Sequence, residues 1–202
     1  MTKLTTFIAV LVLGMTSSAF AGDYDKTGVS LSAEGEKFGV SLSTGASRDF
    51  ADDARVLGIK TTSHPINWGL QYIENGNVDD YRISVETKKE VEAPFTGISL
   101  YGVAEAHYDF GDSFTNKELR LSPYAGVKGD MGKIKPFVEA GYDWKSTEGS
   151  YLDFSKADSY AKLGADIPMT GTTTLTANVL QKMDKDFNKS DREVQLAFKV
   201  KF

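Results

Sequence analysis

The chain has 202 residues, with 23 lysines and arginines against 28 aspartates and glutamates, a formal net charge of −5 and no cysteine. That composition excludes a disulfide framework, thiolate chemistry and cysteine-based zinc sites, and the two histidines, His64 and His107, leave little for a histidine-based metal site. An acidic balance without a basic block argues against nucleic acid as a partner.

At the N-terminus, Lys3 precedes an apolar run from Phe7 to Met15 and an A-x-A site at Ala19-Phe20-Ala21. This pattern predicts a signal peptide over residues 1–21 and a single domain over 22–202. The apolar run is too short to span a bilayer, and no later stretch of some 18 apolar residues follows. A mean hydropathy of −0.29 resembles that of a soluble protein, but strands that alternate polar and apolar residues hide from hydropathy.

Period-two alternation then runs along the chain. Val29, Leu31 and Ala33 form a first short piece. Predicted strands follow over 36–44 (Phe38, Val40, Leu42), 55–62 (Leu57, Ile59), 65–73 (Ile66, Trp68, Leu70, Tyr72) and 79–88 (Tyr81, Ile83, Val85). The next are 97–110, 117–128, 133–145, 156–167 and 171–182. The last alternates Val194, Leu196, Phe198, Val200 and Phe202 with Glu193, Gln195, Ala197, Lys199 and Lys201. These are ten strands, and the piece at Val29 to Ala33 breaks their even parity: it either extends the first strand through a bulge at Glu34-Gly35-Glu36 or sits at the rim. Pro123 falls inside a predicted strand, where it removes a ladder donor and predicts a bulge. Tight turns at Gly129 to Gly132 and Pro168 to Gly171 alternate with longer polar connections near 111–116, 146–155 and 183–192.

Strands of about ten residues, a signal peptide and a closing strand that ends on Phe202 together resemble a Gram-negative outer-membrane β-barrel protein. The resemblance is generic and names no subfamily. It implies an all-β, antiparallel up-and-down transmembrane barrel of about ten strands, with eight or twelve left open and both termini periplasmic. It also implies an outer-membrane location, contact with outer-membrane lipid, and recognition by the barrel-assembly machinery through the strand ending in Phe202. Tyr72, Tyr81, Tyr108, Phe110, Tyr142 and Trp144 fall near the outer ends of outward faces, as an aromatic girdle requires.

The opposite parity gives the expected lumen lining: Arg82, Glu86, Glu105, His107, Glu118, Arg120, Lys135, Glu139, Asp143, Lys162, Asp166, Glu193 and Lys199. Mixed signs can pair across strands and close the interior, or line a wet channel. His107, flanked by Glu105 and Asp109 with Ser122 one strand away, is the best candidate for catalysis, but no motif of the barrel hydrolases matches and an ion-pair network is the expected role. His64 before Pro65 reads as a solvated turn, and neither Asp52-Asp53 nor the run Asp184 to Asn188 completes a calcium loop. The expectation is a monomeric, non-enzymatic barrel without cofactor, either a narrow porin-like channel for small hydrophilic solutes or ions or a purely structural barrel. The alternatives are a surface receptor that binds an extracellular ligand through its outer loops and, third, an outer-rim hydrolase around His107.

Overall fold

The computed structural model of the chain describes residues 26–45, 54–62, 65–75, 78–93, 97–111, 118–146, 157–184, 186 and 188–202. The expected signal peptide over 1–21, His64 and the Asp52-Asp53 pair lie outside these residues. Among them run twelve strands: β1 (Lys26–Glu34), β2 (Phe38–Gly45), β3 (Arg55–Thr61), β4 (Ile66–Asn75), β5 (Val78–Glu92), β6 (Ile98–Gly111), β7 (Glu118–Leu121), β8 (Tyr124–Gly129), β9 (Lys135–Lys145), β10 (Asp158–Pro168), β11 (Thr173–Met183) and β12 (Lys189–Lys201).

Each strand pairs antiparallel with its neighbour in sequence, except that β7 and β8 both pair with β6 on one side and β9 on the other. They are one stave interrupted at Ser122–Pro123. Proline has no N–H to give the ladder, so the strand is interrupted there, but the expected bulge does not form. The register is the same before and after the break, the Ser122 N–H donates to the Glu105 carbonyl at 2.7 Å and the Pro123 carbonyl accepts the Tyr142 N–H at 3.1 Å. The barrel therefore has eleven staves, not ten. The additional one is β1, a full strand joined to β2 by a tight turn and not a bulged extension.

An odd number of staves forces one parallel contact. β1 closes the barrel by pairing parallel with β12, Leu31 against Phe198 and Ala33 against Val200. The short connections, 35–37, 62–65, 93–97, 130–134 and 169–172, thus share one end with Phe202, whose N–H donates to the Glu34 carbonyl at 3.0 Å. This approach is tight, since a Cβ on Gly35 would lie 3.0 Å from the Phe202 ring. Lys26, in contrast, lies at the end of the longer connections. The expectation that both ends of the barrel sequence share one rim is corrected: parity places the start of β1 opposite the end of β12.

The outward face is apolar and exposed. Leu57, Ile59, Ile66, Trp68, Leu70, Ile83, Leu100, Val138 and Leu163 are each more than a third exposed. Outward charges in the described strands fall at the loop end, as with Arg55 beside Glu74, or near the turn end, as with Lys89. Between them the band carries none. At its loop-end margin Tyr72, Tyr81 and Phe110 form a chain of rings with centroids 5.7 and 5.6 Å apart, and Tyr142 stacks on Trp144 at 6.0 Å. The expected girdle residues thus share one rim.

Candidate functional site

The buried groups are on the inside, and many are charged. Arg82 and Asp109 are direct ladder partners on β5 and β6, exposed by 1% and 0%. Two hydrogen bonds join them, Nε to Oδ1 at 2.6 Å and Nη2 to Oδ2 at 2.7 Å. The planar guanidinium fork matches a carboxylate in this bidentate way. Arg120 Nε lies 3.6 Å from the same Asp109, so one carboxylate bridges two cations in the loop-end half of the lumen. Glu193 is closed off nearby by Lys182 at 2.6 Å and by the amide of Gln195 at 3.1 Å.

Deeper in, Glu139 accepts from three donors: Lys162 at 2.8 Å, Tyr160 at 3.0 Å and Tyr101 at 3.2 Å. Lys162 is its direct ladder partner, whereas Tyr101 reaches it across β8. Towards the turn end Asp166 accepts from Lys128 and, at 2.6 Å, from the Thr176 hydroxyl. Glu34 lies 3.1 Å from Lys199 and 3.5 Å from Lys60. At the turn-end rim Lys135 sits 3.1 Å from Asp130. The Gly132 backbone N–H, helped by Lys135, holds the Asp130 carboxyl below the usual aspartate value. Gly132 turns there with φ +77°, which a side chain would resist.

Of the residues expected to line the lumen, Arg82, Arg120, Glu139, Lys162, Asp166, Glu193 and Lys199 join these networks. Glu86 and Glu105 face each other in the register. Asp143 is buried. Lys135 keeps the inward parity but works at the rim, and Glu118 is placed by its pairing with Asp109 alone. Asp109, Tyr101, Tyr160, Phe137 and Lys128 belong with them. All share the two-residue phase of an expected lumen residue on the same stave, and that phase was the available signal.

His107 does not assemble a catalytic relay. It is 3% exposed, with Nε2 3.4 Å from Glu105 Oε1, and neither ring nitrogen has a hydrogen-bond partner. Ser122 Oγ is equally buried and equally unpaired, so the nucleophile–base hydrogen bond that such chemistry requires is not made. Asp109 is engaged by Arg82 instead. In the connection after β11, Asp184 Oδ1 accepts the backbone N–H of Asp186 and of Asn188, each at 2.9 Å, which makes it a turn cap.

Space remains inside. A cavity of 400 Å³ lies against β1 to β5, with Ser30, Ser32, Ser41, Asn67, Gln71 and Ser84 on its wall. A second, of 240 Å³, is bounded by Tyr101, Tyr124 and Phe137 and shares Thr176 with the first. A third, of 640 Å³, opens at the turn-end rim between Glu90, Asp130 and Lys135 and shares Lys128 with the second. The three adjoin one another from the rim inward.

No protein-family model matches the chain, and no curated protein matches it. Among solved structures, it is similar to the outer-membrane expressed OmpT of Vibrio cholerae, with a TM-score of 0.42 and 11% identity, over 78% of this chain and 58% of that one. The chain thus spans less than two thirds of that protein. The barrel assignment rests on the strand pairing itself, a closed circuit of eleven staves from β1 round to β12.

Proposed function

We propose that the protein is a monomeric outer-membrane β-barrel of the porin-like kind, a narrow channel for small hydrophilic solutes or ions, constricted in its loop-end half by Arg82, Asp109 and Arg120. The observation that carries this reading is the inverted distribution of polarity. Charged groups are buried inside, while the exterior presents an apolar, charge-free band edged by aromatic rings. A charge on the lipid face of a barrel costs about 2–4 kcal/mol at the midplane, and a water-facing sheet has no reason to avoid it.

Eleven staves lie between barrels that side chains just fill and porins with open pores. The Arg82 and Arg120 guanidinium groups both lie against Asp109 in the loop-end half of the lumen, which narrows it there on this reading. Assembly through the strand ending in Phe202 and contact with lipid follow from the same reading. His107 is a structural lumen residue on this account, and no enzymatic role is proposed for it.

Planar-bilayer recording of the refolded protein tests the channel. The wild type should give small discrete steps, and Arg82→Ser combined with Asp109→Ser should enlarge them. Silence of both proteins across salts and voltages would leave a structural barrel.

A further inference from the structure

On the basis of that channel reading, we propose that the wall formed by β1 to β5 is a binding path for neutral polyhydroxylated solutes, small saccharides, and not primarily for ions. The cavity against this wall measures 400 Å³, within the range of small-molecule sites, roughly 300–1,000 Å³. Its surface is unlike the rest of the lumen. Ser30, Ser32, Ser41 and Ser84 supply hydroxyls, and Asn67 and Gln71 supply amides. Among the described residues, the side chains of the four serines and of Gln71 make no hydrogen bond to the protein. A hydroxyl both donates and accepts, as each hydroxyl of a sugar does, so such a wall can exchange bound water for a sugar bond by bond.

The space exists because small residues leave it. A Cβ on Gly58 would meet Ser41 Oγ at 2.7 Å and Gln71 Cγ at 3.3 Å, and one on Gly69 would meet Ser84 Oγ. Of the charged residues that border the cavity, Glu34 is held between Lys199 at 3.1 Å and Lys60 at 3.5 Å, and Glu86 and Glu105 face each other. Along the serine and amide stretch an ion sheds hydration for little return, whereas a neutral solute does not face that cost. The facing pair Glu86 and Glu105 offers acceptor oxygens suited to adjacent hydroxyls. The adjoining 240 Å³ cavity presents Tyr101, Tyr124 and Phe137, apolar faces suited to the C–H face of a sugar ring.

Saturation-transfer difference NMR on the full-length refolded protein in detergent micelles, with maltose as probe, tests the path. Glucose 6-phosphate and free lysine serve as the anionic and cationic comparisons. Maltose should give a saturable signal stronger than either charged solute. Ser32→Ala combined with Ser84→Ala, which removes two unengaged hydroxyls without adding bulk, should weaken maltose binding about tenfold while the barrel still shows heat-modifiable migration on gels. Absence of a saturable maltose signal, an equal or stronger signal from a charged solute, or unchanged binding in the double variant each overturns the inference. The two proposals fail separately: current in a bilayer without maltose binding removes only the saccharide path, and maltose binding without current removes only the channel.

Discussion

On β8, β9 and β10 the inward glycines lie under rings, while on β3 and β4 they lie opposite serines. A Cβ on Gly164 would come within 2.6 Å of the Phe137 ring and of Asn178 Cβ, and one on Gly141 within 2.7 Å of the Tyr160 ring. At Gly58 the nearest neighbour is a serine hydroxyl. Glycine therefore does not make the cavity by itself. Where an aromatic side chain crosses from a neighbouring stave the glycine is a seat for it and the wall is more nearly filled, with 240 Å³ left; where the neighbours are serines the same backbone leaves 400 Å³. The charges follow the same division. Glu139 is enclosed by three donors on the filled side, whereas Glu34 shares its two lysines with open water on the other.

The largest test of this difference is the removal of one carboxylate from each wall. Asp109→Ala removes the carboxylate that Arg82, whose side chain is 2% exposed, binds through two hydrogen bonds, and should cost about 3–5 kcal/mol. Glu34→Ala frees lysines that are 42% and 49% exposed and should cost less than about 1 kcal/mol. Urea unfolding followed by tryptophan emission measures both, and equal losses would mean that the two walls do not differ.

Next comes bulk. Gly164→Ala must displace an aromatic ring, and backbone at the Ala177 carbonyl 2.7 Å from the new carbon, and should cost about 1–3 kcal/mol in the same assay. Gly58→Ala asks only for a serine rotation and a small shift of Gln71, and should stay below about 1 kcal/mol. In bilayer recordings the order reverses. Ser41→Phe should lower single-channel conductance severalfold by filling the open wall, whereas Tyr124→Phe on the filled wall should leave it near the wild-type value.

The filled wall was partly legible in the sequence, because parity is transferable along a stave. Once Glu139 and Lys162 are inward, Phe137 and Tyr160 must be inward too. The ladder pairs Arg82 with Asp109 and Lys162 with Glu139 follow from parity plus a register. Contacts that skip a stave do not. Tyr101 reaches Glu139 across β8, and Lys128 reaches Asp166 across β9, and both depend on the stagger of the whole barrel. The stave number was illegible for a related reason. Val29, Leu31 and Ala33 announce a strand, but alternation has no direction, so it does not say that β1 will run parallel to β12.

The smallest expected effect lies at the turn between β8 and β9, where the filled wall ends in solvent. Asp130 accepts the Gly132 N–H at 2.9 Å and faces Lys135 at 3.1 Å, and both favour its ionised form. Its folded value is thus below its unfolded one, so its contribution is complete above the unfolded value of about 3.8 and is lost as pH falls through the lower folded value. Asp130→Asn should therefore lower the urea midpoint slightly at neutral pH and not at all once the carboxyl is protonated in both states. The side chain is exposed, so the difference should also shrink as salt screens the lysine. A midpoint difference that persists unchanged into strong acid would assign the turn's stability to its Gly132 backbone geometry, with φ of +77°, and not to charge.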